Sequence, residues 1–262
     1  MQAFNYETPS SVAAAATAAK ASGAKIIAGG QSLLASMKLG LAAPEALVDL
    51  AGVAELKGIA VSGGIVKIGA MATHAEVAAH ADVAKAIPAL ADLAGHIGDR
   101  QVRNRGTIGG SLANNDPAAC YPAAALGLGA TIHTNTRSIP ADSFFKGLYE
   151  TALAEGEVIT AVSFPVPEKA AWQKFKQPAS RFSLVGVFVS KGPQGVRVAV
   201  TGAGASVFRA GTLEAKLASS WSADALKGAT VSADGLNTDL HGSAEYRAAL
   251  IPVLASRAVA AS

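Results

Sequence analysis

Short apolar runs alternate with polar and glycine-rich breaks along all 262 residues. None approaches the ~18 unbroken apolar positions that a membrane-spanning helix needs. Thr8-Pro9-Ser10-Ser11 reads as a helix start, with Thr8 as N-cap and the proline in the first turn. The alanine-rich run behind it extends to Gly23, a glycine suited to the position after a helix. Residues 25–28 form a short buried strand that breaks at Gly29-Gly30. Two apolar stretches, 59–61 and 65–68, flank Ser62-Gly63-Gly64 and predict a hairpin. Helices are expected at His74–Ala79 and 83–93, after which residues 98–110 interrupt the periodicity. A short apolar segment at 122–128 precedes strands at 130–134 and 157–164.

Pro165-Val166-Pro167 is the clearest boundary. It divides the chain into residues 1–166, with subdomains of about 1–54 and 55–166, and residues 167–262. Beyond it, 172–176, 185–190 and 196–201 predict a three-stranded sheet, the last two strands forming a hairpin around Gly192-Pro193-Gln194-Gly195. Helical patterns follow at Gly211–Ser219 and 243–260. Strands followed by helices make this second part an α+β unit.

Composition narrows the field. Half of the residues are hydrophobic and 16% are charged, with the apolar excess mostly alanine. Met1-Gln2-Ala3-Phe4-Asn5-Tyr6 lacks the basic-then-apolar order of a signal peptide, so the expectation is a cytoplasmic chain without a membrane span. The single cysteine, Cys120, allows no internal disulfide, and an iron–sulfur cluster needs about four protein ligands. Such clusters, if involved, belong to other chains. A net charge of +3 spread along the chain suits an anionic small ligand better than a nucleic acid.

The chain has no Gly-x-Ser-x-Gly elbow, P-loop lysine or His-Glu-x-x-His. Its five histidines (His74, His80, His96, His133 and His241) lack tight metal-ligand spacing, and each reads as an ordinary surface or hydrogen-bonded residue. Two glycine loops remain. Ala28-Gly29-Gly30-Gln31-Ser32-Leu33-Leu34 leaves a strand and enters a helix, an arrangement in which open N–H groups attract phosphate; a plain strand-to-helix turn would look the same. Arg103-Asn104-Arg105-Gly106-Thr107-Ile108-Gly109-Gly110-Ser111-Leu112-Ala113-Asn114 gathers arginines, glycines, hydroxyls and amides, the inventory for holding a diphosphate. Gly202-Ala203-Gly204-Ala205-Ser206-Val207 imitates a dinucleotide fingerprint, but Val207 stands where the third glycine belongs. It reads as a tight strand exit, with Asp224 downstream preceded by a helical pattern.

Together and in this order, the two loops resemble those of the FAD-binding medium subunits of molybdenum hydroxylases, the family of aerobic carbon monoxide dehydrogenase and of the flavin domain of xanthine dehydrogenase. The first motif continues into Met37-Lys38-Leu39 and the second into Asn114-Asn115-Asp116-Pro117. Gly156-Glu157-Val158-Ile159-Thr160-Ala161-Val162, Pro178-Ala179-Ser180-Arg181-Phe182 and His241-Gly242-Ser243-Ala244-Glu245-Tyr246-Arg247 agree with the same family. The resemblance runs from the first ten residues to the last fifteen.

The resemblance implies an α+β fold: a two-part FAD-binding domain of the vanillyl-alcohol-oxidase type and a smaller α+β C-terminal domain. It implies that Ala28, Gly29, Gly30, Gln31, Ser32, Leu33, Thr107, Gly110, Ser111 and Asn114 contact FAD. Ile97 matches a position near the adenine, while Ile159 and Lys176 match positions that approach the flavin. Lys25 lies near the phosphates in this scheme, although a solvated lysine at a strand edge explains it equally. Where the family has an aspartate that accepts hydrogen bonds from the cofactor, this chain has Cys120. A thiol is a weak partner, which leaves open looser FAD binding, replacement by Asp116 or a water, or a small buried residue in a re-packed site.

The resemblance also implies partners: a small subunit with two [2Fe–2S] clusters and a large molybdopterin subunit, assembled as a dimer of heterotrimers. Electrons then pass from the clusters to FAD and on to an external acceptor, with no catalytic acid or base on this chain. Two rival readings are a stand-alone NAD-dependent dehydrogenase built on Gly202 and Gly204, and a subunit of the same complex that has lost its flavin.

Overall fold

The computed structural model describes residues 2–262. Its first layer is a parallel sheet of three short strands, β1 (Asn5–Glu7), β2 (Ala24–Ile27) and β3 (Ala46–Asp49), in the order β1-β3-β2. Successive side chains of a strand point to opposite faces, and the central strand uses both. Val48 packs with Val12 and Ala15 of helix α1 (Val12–Ala18), and Leu47 packs with Met37 of helix α2 (Leu33–Lys38).

Helix α1 begins later than Thr8. Ser11 is its N-cap and accepts a hydrogen bond from the Ala14 N–H at 3.2 Å. The helix also ends short of Gly23, which instead bears a φ of +70° in the turn feeding β2. The alanine run favours helix, but Ala24 pairs with Ala46 in the sheet, so the preceding residues are spent on reversing the chain.

The second layer holds β4 (Ile59–Ser62) and β5 (Ile65–Gly69), the expected hairpin. Helices α3 (His74–Ala79), α4 (Ala81–Ala86), α5 (Pro88–Gly95), α6 (Arg100–Arg103), α7 (Ile108–Asn114) and α8 (Tyr121–Gly127) follow. The single helix expected at 83–93 is two, because Pro88 lacks an N–H and forces Ile87 out of helical geometry, at φ −138° and ψ 76°. Residues 98–110, rather than being mere interruption, hold α6 and the start of α7. Strands β6 (Thr131–Thr134) and β7 (Ser138–Pro140), helix α9 (Ala141–Phe144), the small ribbon β8 (Phe145–Gly147) and β9 (Glu150–Thr151), and β10 (Ile159–Pro165) complete the layer. Its antiparallel sheet runs β4-β5-β10-β6-β7.

The last part is an antiparallel sheet of β11 (Lys169–Lys176), β12 (Ser183–Gly192), β13 (Gly195–Thr201) and β14 (Phe208–Arg209), covered by α10 (Gly211–Ser219) and α11 (Ala244–Ala260). The three expected strands are joined by a fourth, β14, which at two residues carries no periodicity to read. The expected hairpin is present, with Gly192 paired to Gly195. Strand β12 is buried on both faces: Val185, Val187 and Val189 pack with Ile251 and Leu254 of α11, whereas Phe188 joins the core of the second layer. A Cβ on Gly127 of α8 would lie 2.8 Å from the Phe188 ring, so helix and sheet meet without a gap. Arg197 of β13 adds a buried fork, donating to the Leu126 carbonyl at 3.0 Å and to both carboxylate oxygens of Asp142.

Candidate functional site

A cleft of about 780 Å³ opens where the first layer, the second layer and β11 meet. That lies inside the ~300–1,000 Å³ range of small-molecule and cofactor sites. Its floor is made by the two glycine loops. In the first, β2 runs into Ala28-Gly29-Gly30, and Gly30 takes a φ of +74°, which turns the chain into α2. Among the described residues no acceptor pairs with the N–H groups of Gly30, Gln31, Ser32 or Leu33. Four open donors on one turn form a concavity for anionic oxygens.

In the second loop the chain crosses directly behind the first. A Cβ on Gly29 would sit 2.0 Å from the carbonyl oxygen of Arg105, and one on Gly109 would sit 2.6 Å from the Ala70 methyl. Gly29 therefore serves contact between the two loops, and Gly109 seats α7 against the end of β5. Thr107 caps α7, its hydroxyl accepting from the Gly110 N–H at 3.1 Å. A Cβ on Gly110 would lie 2.9 Å from that hydroxyl and 3.6 Å from the Ala28 methyl, so the loops converge at this point.

Most of the sequence-derived residues come together. Ala28 to Leu33, Ile97, Thr107, Gly110, Ser111, Asn114, Cys120 and Ile159 all line the cleft, and so does Lys25 on the edge strand β2. Lys176 does not. Phe175 pairs with Val185 and Lys176 with Ser183, so β12 carries one extra residue, Leu184, at this point, and Lys176 is exposed. Lys174, two residues earlier, lines the cleft instead. The two arginines of the second loop also lie outside it: Arg103 donates to the carbonyls of Ile97 and Gly98 at 3.0 and 3.1 Å and so braces that turn, and Arg105 is exposed.

Cys120 is a small buried residue at the mouth of α8, 4% exposed, with Sγ 3.6 Å from the Ser183 hydroxyl and 3.4 Å from the Lys174 ammonium. Asp116 lines the cleft nearby, with one carboxylate oxygen accepting from the Ala118 N–H at 2.8 Å and the other facing the Tyr149 hydroxyl at a long 3.5 Å.

One cleft residue and one buried behind the cleft escape sequence reasoning. His74 is 5% exposed, lines the cleft, and donates its backbone N–H to Gly106 at 2.9 Å. Burial, aided by the Arg103 charge, pushes its pKa down to about 4, so the ring is neutral at pH 7. Its Nδ1 has no partner among the described residues, a buried polar atom with unused bonding capacity. Only a Thr-His pair at a helix start marks it in sequence. Asn115 is fully buried in left-handed geometry, at φ 41° and ψ 47°. Its amide donates to the carbonyls of Gly147 and Glu150, both at 2.8 Å, and thereby fixes the ribbon that carries Tyr149 into the cleft.

Gly202 belongs to the fold rather than to a cofactor site. Its N–H donates to the Pro117 carbonyl at 2.7 Å, and a Cβ there would lie 2.6 Å from the Ser183 carbonyl oxygen. Thr201 beside it donates toward Pro117 and Ala119. The strand exit thus props the turn leading to Cys120.

Open amides, small side chains where two loops converge, an orphaned buried His74 nitrogen and flanking lysines fit an elongated, phosphate-bearing cofactor held between layers. They define a cofactor-binding protein. Comparison with known proteins gives the family. The model of the FAD binding domain in molybdopterin dehydrogenase matches residues 2–167. The nicotine 6-hydroxylase medium subunit of Paenarthrobacter nicotinovorans is 35% identical over 99% of this chain and 97% of its own length. The carbon monoxide dehydrogenase medium chain of Hydrogenophaga pseudoflava is 34% identical over 99% and 96%. Among solved structures, carbon monoxide dehydrogenase from the same organism superimposes with a TM-score of 0.87 at 34% identity, covering 99% of this chain and 97% of that one. Quinoline 2-oxidoreductase from Pseudomonas putida 86 does so with 0.86 at 33%, covering 99% and 96%. This chain belongs to the FAD-binding medium subunits of the multi-subunit molybdenum hydroxylases, and its cofactor is FAD. No helix among the described residues is long and apolar enough to cross a membrane.

Proposed function

We propose that this chain is the electron-transfer flavoprotein of a cytoplasmic heterotrimer, present twice per assembly, with a small iron–sulfur subunit and a large molybdopterin subunit. It receives electrons from the partner's [2Fe–2S] clusters and delivers them to an external acceptor. The observation that carries the proposal is the meeting of the two glycine loops at Gly110 and Ala28, beside the open amides of residues 30–33. Bound FAD supplies the redox chemistry, accepting electrons one at a time and releasing them singly or in pairs. The protein's part is to hold and shield it.

In this reading the N–H groups of Gly30 to Leu33 take the pyrophosphate, and the Thr107 cap presents the start of α7 to it. Ala28, Gly29, Gly110, Ser111 and Asn114 supply close, small-sided contact. Ile97, Cys120 and Ile159 form the walls on either side. The domain assignment that goes with it is a two-part FAD domain of the vanillyl-alcohol-oxidase type over residues 1–166, split near 54, followed by a C-terminal domain over 167–262.

The test is an absorption spectrum of the chain purified with its co-expressed partners, followed by acid release of the cofactor. One FAD per chain is expected, and Gly110→Leu should abolish it, because the backbone could no longer approach the pyrophosphate. Absence of flavin after incubation with excess FAD overturns the proposal.

A further inference from the structure

The ribbon of β8 and β9 turns through Leu148 and Tyr149, between the paired residues Gly147 and Glu150. Tyr149 holds the second turn position at a φ of +54°, where glycine or asparagine normally stands because a larger side chain is strained there. Among the described residues other than glycine, only Asn115, Tyr149 and Arg181 have positive φ. Tyr149 and Arg181 line the cleft and Asn115 is buried behind it, so the backbone strain gathers at one place.

The contacts of the Tyr149 side chain do not account for that strain. It is 59% exposed, and its ring meets no aromatic neighbour among the described residues. Its hydroxyl has a single partner there, the Asp116 carboxylate at a long 3.5 Å. The surroundings impose the geometry instead. Asn115 donates to the carbonyls on both sides of the turn at 2.8 Å and to the Ser206 hydroxyl at 3.1 Å, which ties the ribbon to the loop after β13. Strained residues persist only where their neighbours over-determine them, and they cluster at active sites and ligand clamps. Leu148 makes the contrast: it is as exposed, at 60%, yet does not line the cleft. Of the two residues at the ribbon tip, only the tyrosine is turned to the ligand's side.

We propose that Tyr149 is a cofactor-contact residue: its ring stacks on one of the two planar heteroaromatic rings of FAD and covers it at the cleft mouth, and the strained turn serves to put it there. This inference rests on the cleft being the FAD site. An exposed aromatic on the rim gains buried contact area when a planar ring arrives. Stacking of this kind corresponds to roughly 5–100-fold in affinity.

The experiment uses the full chain in its complex, stripped of FAD and titrated with it by calorimetry. Tyr149→Gly should raise the Kd by roughly 5–100-fold, while the apoprotein melts no lower than wild type because glycine relieves the turn. Tyr149→Phe keeps the ring and should stay within about threefold, as should Leu148→Ala. In the unmodified protein, nitration of tyrosines read by mass spectrometry should modify Tyr149 without FAD and spare it with FAD. Tyr6, exposed on β1 and outside the cleft, should be modified alike in both. ADP titrated into the same proteins tells the two rings apart: a loss shared by ADP puts the adenine under Tyr149, and one confined to FAD puts the flavin there. Unchanged FAD affinity in Tyr149→Gly, a less stable apoprotein in that variant, or nitration indifferent to FAD overturns the inference alone when the wild type binds FAD. A wild type that takes up no FAD overturns the functional reading and this inference with it.

Discussion

A side chain at Gly29 would come within 2.0 Å of the Arg105 carbonyl oxygen. The two glycine loops, far apart in sequence, are therefore in backbone contact, and each sets the position of the other. Gly29→Ala should force them apart. We expect a destabilisation of about 1–3 kcal/mol, as for overpacked interiors, with loss of FAD. Thermal melting of the apoprotein and flavin content of the purified complex measure the two effects separately.

Asn115 combines a left-handed backbone with two carbonyl contacts to the Tyr149 ribbon. Asn115→Gly keeps the backbone geometry and loses the clamp; Asn115→Ala loses both. The alanine variant should be the less stable by about 1 kcal/mol. Both should lower FAD affinity, since either frees Tyr149. Equal melting temperatures for the two variants would contradict the role given to the left-handed turn.

Glu157 accepts from Arg137, Thr134, Thr136 and the Ala154 N–H. These bonds, the Arg137 contact foremost, hold its carboxyl well below the usual carboxylate range. A depressed folded-state pKa stabilises above the unfolded value, and that contribution is lost as pH falls through the folded value. Glu157→Gln should therefore melt lower than wild type near neutral pH, by several degrees for a chain of this size. The gap should narrow steadily as pH is lowered below about 4.3, the unperturbed value for a glutamate. A gap independent of pH would contradict the assignment.

Arg247 is 3% exposed, donates to the carbonyls of Leu184 and Gly202, and forms a two-pronged pair with Asp239. A lysine cannot reproduce this fork. Arg247→Lys should cost about 1–3 kcal/mol, because a lysine cannot serve the two buried carbonyls and the carboxylate together. The effect should be visible in urea unfolding as a lower midpoint.

How much of this was legible in sequence follows from the kind of signal each residue carries. The loops at 28–33 and 103–114 stand out because glycine and hydroxyl clusters are local patterns. The helix break at Pro88 was equally local but was overridden by an apolar period that runs through it. Lys174 lines the cleft and Lys176, two residues on in the same strand, does not, and nothing local in the sequence separates the two. His74 and Asn115 are set by what folds over them, and burial by distant segments has no signature at the residue itself. Strand β14 is too short to carry any period.

Phe188, Trp172 and Ala199 complete a core begun by α5 and α8, and Thr201 and Gly202 brace the turn before Cys120. On the ribosome, the segment that matches the FAD domain emerges first with one wall of its interior still unsynthesised. Its apolar face stays uncovered until β12 and β13 arrive. A chain that stops before β12 therefore cannot close that core, and the segment that matches the FAD domain is not self-sufficient in apolar burial.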